Sequence, residues 1–508
     1  MKNYKYITSI VLAALALTSC DVNNALPEIE EQTVQVTLET KALDFSKYVA
    51  IGASFTAGFS DGALFTAAQE NSFPNILASK FALAGGGAFN QPLMEDNIGG
   101  FVANGAVIQP PRLIFNGSAP ARLDAVPTTE LTTKASGASF NNFGIPEAKS
   151  FHLTFPGYAT LNPYFGRMAS APTATVLEDA LAQSPTFFTL SEVGGNDVLG
   201  YATSGGTGVD QSGNLNAASY GPNDITDPNV FASVFSNMVT ALTANGAKGV
   251  VATVPNVDLL PFFTTVPYNP VPLDAATAAA VNNAYAQYNA GIQQAFGALV
   301  LQGVMPQDKA TVEIAKRTIS FSEGNNPVVI IDENLTDLEA LNPMFAGLKQ
   351  FRQTTEEDLL VLTSSSFIGT LADPNNPLSV NGIGVALADQ WVLTPEEQNN
   401  LKVATDAYNA TITGIASANE NVALVDLNAI LREAAAGIEF DDYSLTTNLV
   451  TGGLVSLDGV HLTSRGYALM ANKILEAIDS KFGSNFTKAN NGLAKAANFP
   501  TNYSPKLR

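Results

Sequence analysis

Cysteine occurs once in this chain, at Cys20, and histidine twice, at His152 and His461. A lone cysteine excludes an intramolecular disulfide and a thiolate metal site. Two histidines leave little for a histidine-rich zinc centre. Basic residues are also scarce: 25 Lys and Arg stand against 46 Asp and Glu, a net charge of −21. That balance excludes the basic footprint on which nucleic-acid binding depends. It also disfavours adsorption to anionic lipid by charge. Charged residues of both signs make up only 14% of the chain, so its surface is mostly neutral and polar. No loop has the spacing of an EF-hand. Past the N-terminus there is no apolar run of about 18 residues, the length a membrane span needs. Trp391 is the only tryptophan and reads as core.

Hydrophobic residues, by contrast, make up 46% of 508 positions. That supports one large domain with insertions or two to three ordinary ones. The N-terminus opens on Lys2 and Lys5, and residues 7 to 17 are mostly apolar, too short a stretch for a comfortable span. Leu17-Thr18-Ser19-Cys20 then resembles a bacterial lipobox, where a signal segment is cut before a cysteine that becomes lipidated. The resemblance implies a signal peptide over 1–19, a lipid anchor at Cys20, and an acidic tether over 20–45 carrying Glu28, Glu30 and Glu31. It implies an extracytoplasmic protein of the cell envelope, at the outer membrane or cell surface in preference to the inner membrane. A lipid anchor attaches without a span.

Five short apolar runs read as strands. They are Tyr48 to Ile51, Ala138 to Phe143, Thr186 to Leu190, Gly249 to Val254, and Val422 to Val425. Helical periodicity lies between them, at 73–83, 231–242 and 395–418, and again after Thr463, where Leu469, Met470, Ile474, Leu475 and Ile478 share a face. Strands alternating with helices predict an α/β fold with a mainly parallel sheet. Residues 84 to 136 read as a long Gly/Pro/Asn/Thr-rich loop lining something. Residues 257–391 read as an insertion or cap region, with a helix over 275–301 and strands at 328–331 and 359–363. Asp332-Glu333 and Glu356-Glu357-Asp358 read as solvated faces. The core resumes over 392–485, and 486–508 reads as a polar tail.

In parallel sheets the working residues sit beyond the carboxyl ends of the strands. Ser54 lies there in Gly52-Ala53-Ser54, Gly144 after the second strand, and Asn196 after the third in Gly194-Gly195-Asn196-Asp197. Asp458 and His461 sit on the loop that feeds the last helix, at a spacing that lets a carboxylate fix an imidazole tautomer. Together, and in this order, these blocks resemble the SGNH hydrolases, the GDSL esterase/lipase family. The resemblance covers 46–256 and 392–482 and leaves the insertion out.

It implies a three-layer, flavodoxin-like α/β sandwich and a serine ester hydrolase. In that reading Ser54 is the nucleophile, His461 the base and Asp458 its orienter. Ser54 N–H, Gly144 N–H and the Asn196 amide form the oxyanion hole. No cofactor or metal is implied. The substrate is a small-molecule, lipid or carbohydrate ester, its choice shaped by the insertion and the 84–136 loop. The family's first block usually reads Gly-Asp-Ser, and here Ala53 replaces the acid that helps order that turn. The competing reading is a surface lipoprotein that binds a ligand in the same cleft without catalysis. Glu192 and Asp197 form a further candidate, a glycosidase-type carboxylate pair.

Overall fold

A computed structural model describes residues 36–137 and 139–508. The signal peptide, Cys20 and most of the tether lie outside the described residues. The central sheet is built from β1 (Tyr48–Gly52), β2 (Asn142–Gly144), β3 (Phe187–Leu190), β4 (Lys248–Ala252) and β5 (Val422–Val425). All pairings are parallel, in the order β5-β4-β3-β1-β2. A parallel sheet covered on both faces explains why its strands read as continuous apolar runs rather than alternating ones.

Side chains of β1, β3, β4 and β5 divide between two cores. Val49, Ile51, Phe188, Leu190, Val251 and Val422 face one. Tyr48, Ala50, Phe187, Val250, Ala252 and Ala423 face the other. Helices lie on both faces. The flanking elements, in chain order, are α1 (Ser54–Ala57), α2 (Phe73–Ala82), α3 (Val176–Ala182), α4 (Asn196–Thr203) and α5 (Pro228–Thr243). The insertion follows with α6 (Ala275–Leu301) and α7 (Gln307–Arg317), and the core resumes with α8 (Pro395–Ala418), α9 (Leu427–Ala436) and α10 (Ser464–Phe482). Helices α3, α5 and α8 close the first core, and α2 and α10 the second. Thr463 caps α10 by accepting from Gly466 N at 3.0 Å, and Gly483 ends it in the left-handed region at φ 74°.

Several expectations change at the edges. The second strand is shorter and later than 138–143. The 84–136 segment is not one structureless loop. It folds into two small hairpins, Phe101–Ala103 with Ala106–Gln109 and Leu113–Phe115 with Pro120–Arg122. Leu43 and Phe45, read as tether, are buried, and Phe45 stacks on Phe81 with centroids 4.0 Å apart. The tail is not free either. The fully buried Arg112 donates to Ser504 O at 2.8 Å and Leu507 O at 3.2 Å, and Tyr503 OH donates to Ala67 O at 3.1 Å.

The insertion has a core of its own around Val281, Tyr285, Val329, Ile330 and Leu387. Asp332 and Asp358 are not solvated. Both are buried against Arg352, which donates from its two terminal nitrogens to Asp358 at 2.7 and 2.6 Å and from Nε to Asp332. A charge run in sequence does not reveal an arginine positioned to pair with it. At its start the insertion abuts the last loop of the core: Phe262 N donates to Gly459 O at 3.0 Å.

Candidate active site

The strand order reverses between β1 and β3, and in open parallel sheets ligands bind in the crevice at such a point. Ser54 leaves β1 there, and Glu192 and Asn196 leave β3. Ser54 heads α1 and is nearly buried, at 8% exposure. It lines an apolar cavity with Asn196, Val254, Leu260 and Val460. Ser54 and Asn196, distant in sequence, thus line one cavity.

The histidine loop is stitched to the serine turn. Asp61 N donates to Ser456 Oγ at 3.0 Å, Ser60 Oγ to Leu462 O at 3.0 Å, and Gly62 N to Asp458 Oδ2 at 2.7 Å. Tyr467 OH reaches back to Phe59 O at 2.6 Å. Phe55 and Phe59, on the serine turn, contact the His461 ring with centroids 5.8 and 4.6 Å away. No hydrogen bond joins Ser54 Oγ to the imidazole. Such contacts commonly tighten only with substrate bound.

His461 Nδ1 lies 2.9 Å from Asp458 Oδ2. A carboxylate there makes Nδ1 the donor and leaves Nε2 as the basic nitrogen. Asp458 also accepts from Val460 N at 2.9 Å, His461 N at 2.8 Å and Ser456 Oγ at 3.1 Å. Burial opposes its charge, but His461 and these donors outweigh it and hold the carboxyl well below the usual range. Asp458 is therefore a fixed anion that orients the ring.

Glu192 fills the gap left by Ala53. Its Oε1 accepts from Ala53 N at 2.6 Å and Thr56 N at 2.8 Å, and its Oε2 from Thr56 Oγ1 at 3.1 Å. The serine turn is thus ordered by a carboxylate from β3, and the expected loss of order at Ala53 does not follow. Asp197 is equally engaged, accepting from Ser150 N at 2.8 Å and Ser150 Oγ at 2.6 Å. With both carboxylates holding backbone, they do not form a glycosidase pair facing substrate.

Burial pushes the Glu192 carboxyl up to about 7 from 4.5, against hydrogen bonds from Thr56 and Ala53 that favour its charge. The native state then binds this proton more tightly than the unfolded chain. Its contribution to stability is complete below about pH 4.5 and is lost as pH rises through about 7. Glu192→Gln keeps an acceptor and removes the titration, so stability from urea unfolding should fall less steeply across that window. Asp61, pushed up to about 7 by burial, titrates in the same sense, so some slope persists. Glu192→Ala leaves two buried N–H groups without an acceptor and should cost about 3 kcal/mol or more. A slope in Glu192→Gln equal to that of the parent would exclude this titration.

Gly144 does not serve as expected. Its N–H donates to Asn142 Oδ1 at 2.9 Å. A Cβ there would stand 2.1 Å from Ala57 N, so glycine is required for β2 to pack under α1. The N–H is engaged, and Gly144 does not line the Ser54 cavity. Three residues on, Glu147 lines the neighbouring cleft that Asn196 also borders, not the Ser54 cavity. Glu147 adopts φ 67°, and its N–H has no acceptor among the described residues. Asn196 Nδ2 donates to the adjacent Ala148 O at 3.0 Å, which holds its amide beside this loop. A glycine at 147 would have signalled the left-handed backbone; glutamate conceals it.

Asn196 also borders a second, more polar cleft of about 550 Å³, with Glu147, Phe151, His152, Tyr158 and Tyr220 on its walls. His152 Nδ1 accepts from Lys149 N at 3.1 Å, and its ring stacks on Tyr158 at 4.5 Å. Burial and the neighbouring Lys149 push this imidazole down to about 4, which favours the neutral ring. His152 has no carboxylate partner of the kind that orients His461. No family model, curated protein or solved structure matches this chain.

Proposed function

We propose that this protein is a serine carboxylic-ester hydrolase of the SGNH type, acting from a lipid anchor outside the cytoplasm. The observation that carries the reading is the Asp458–His461 pair, bonded at Gly62 to the segment that follows α1, the helix that Ser54 heads at the point where the strand order reverses. Ser54 attacks the ester carbonyl and His461 takes its proton, later returning one to the leaving alcohol. Asp458 stabilises the imidazolium. Ser54 N–H, the free N–H of the Asn196 amide and Glu147 N–H are the oxyanion donors of this scheme. Water then releases the acyl group by the same base.

The two cavities that meet at Asn196 divide the substrate. The apolar one beside Ser54 takes the acyl group. A second apolar cavity behind it shares Phe55, Pro255, Leu260 and Val460, and extends the acyl path toward α9 and α10. The polar cleft takes the alcohol. Acetyl, butyryl and octanoyl esters of p-nitrophenol test both points. Hydrolysis should require Ser54 and favour the longer acyl groups. Activity equal in Ser54→Ala and the parent would reject the enzyme, and a strict acetyl preference would reject the acyl path. The non-catalytic reading had its main support in Ala53, and the Glu192 side chain now supplies hydrogen bonds that order that turn.

No helix among the described residues is long and apolar enough to cross a membrane. Anchoring therefore rests on Cys20, outside those residues. In the Cys20→Ser variant the protein should move to the soluble extracytoplasmic fraction, and retention on membranes would exclude the anchor.

A further inference from the structure

Away from Ser54, three carboxylates from separate segments converge where the insertion meets the core. Glu333 follows the insertion strand Val329–Ile331, Asp389 opens the short turn Asp389–Trp391, and Glu397 lies in the first turn of α8. One oxygen from each lies within 4.8 Å of the other two. Two oxygens on one calcium ion stand at most about 5 Å apart, twice a calcium–oxygen distance of roughly 2.4 Å, so this spacing brings the three to within a small shift of a shared ion. No lysine, arginine or histidine among the described residues forms an ion pair with any of them.

The cluster also contains orphaned oxygens. Glu397 is 2% exposed. Its Oε2 accepts from Thr394 N at 2.6 Å and Thr394 Oγ1 at 2.8 Å, capping α8. Its Oε1 is buried with no donor, and so is Asp389 Oδ1. A buried carboxylate oxygen without a partner is costly unless a proton or a cation supplies one. The chain is shaped around this oxygen. Gly206, at φ 85°, approaches so closely that a Cβ would stand 1.9 Å from Glu397 Oε1.

We propose that Glu333, Asp389 and Glu397 bind a calcium ion that fastens the insertion to the core. The donor set is all hard oxygen, which selects calcium or magnesium over softer metals. Irregular loops and one solvent-facing ligand, Glu333, suit calcium, which tolerates varied geometry and fills its shell with water, whereas magnesium demands a near-ideal octahedron. Glu333 and Asp389 come from the insertion and Glu397 from the core. Gly206 follows α4, the helix that begins at Asn196, so the ion also stiffens the wall behind that residue.

Trp391, the only tryptophan, is two residues from Asp389 and serves as an antenna. Terbium added to the full chain after chelator treatment should give saturable emission on tryptophan excitation, and calcium should displace it. Calcium well above its Kd should raise Tm by about 3 °C or more. Asp389→Asn with Glu397→Gln should abolish both effects. Glu333 is exposed, so Glu333→Gln should leave the fold intact and weaken calcium binding at least about tenfold. The proposal is overturned if there is no sensitised emission and Tm is the same with calcium and with chelator. It is equally overturned if Tm rises only on acidification and the double variant is more stable than the parent without metal, because the carboxylates then share a proton. A larger response to magnesium would overturn the assignment to calcium. None of these readouts depends on ester hydrolysis.

Discussion

Replacing His461 with alanine should lower kcat on a p-nitrophenyl ester by about 10⁴ or more, and Ser54→Ala should do the same. The double variant should be little worse than either single one, because a nucleophile without its base and a base without its nucleophile are equally idle. Asp458→Asn should cost less, about 10²–10⁴. The asparagine leaves the base in place but loses the anion that fixes its tautomer and stabilises its charge. The structure adds a control. His152 is the only other imidazole, and its Nδ1 is held by Lys149 N while its ring stacks on Tyr158. His152→Ala should therefore stay within about tenfold of the parent in kcat, with any change falling in KM through the polar cleft. Essential His152 with dispensable His461 would reverse the assignment.

Asn196→Ala should lower kcat by about 10²–10³ with little change in KM, the usual loss for one oxyanion donor. One amide proton of Asn196 is held by Ala148 O, and that bond aims the group without exhausting it. Gly144→Ala should fail differently. A Cβ at 144 meets the α1 backbone, so the variant should lose stability rather than show a clean kcat defect. Glu147→Gly leaves the third donor in place. It relieves a left-handed glutamate and keeps the N–H, so activity should be retained while stability rises by up to about 1 kcal/mol. A loss confined to KM in Asn196→Ala would make that residue a ground-state contact.

Residue type and strand position, joined to a family resemblance, singled out Ser54, Asn196, Asp458 and His461 as candidates, because the signals are local: a serine after a buried strand, an acid three residues before a histidine. The sheet was legible for a similar reason, since a strand buried on both faces reads as an apolar run. What stayed hidden depends on pairings between distant segments. Glu192 supports the Ser54 turn only because β3 lies beside β1, and nothing around Glu192 announces that. Asp332 and Asp358 look like solvated charge until Arg352 is placed between them. Gly144 misled because glycine marks a need for space without saying whether a ligand or a neighbouring backbone takes it. The docked tail is polar by composition, and its attachment rests on carbonyls that Arg112 reaches from more than halfway along the chain.

The central claim is that Ser54 is a nucleophile activated by His461, and covalent trapping tests it most directly. The protein would be treated with an alkyl fluorophosphonate, and the adduct located by intact mass and peptide mapping. The account predicts one phosphonyl group per chain, on Ser54, absent in Ser54→Ala and formed far more slowly in His461→Ala. An unmodified chain, or a stable adduct on any other residue with Ser54 untouched, would contradict it.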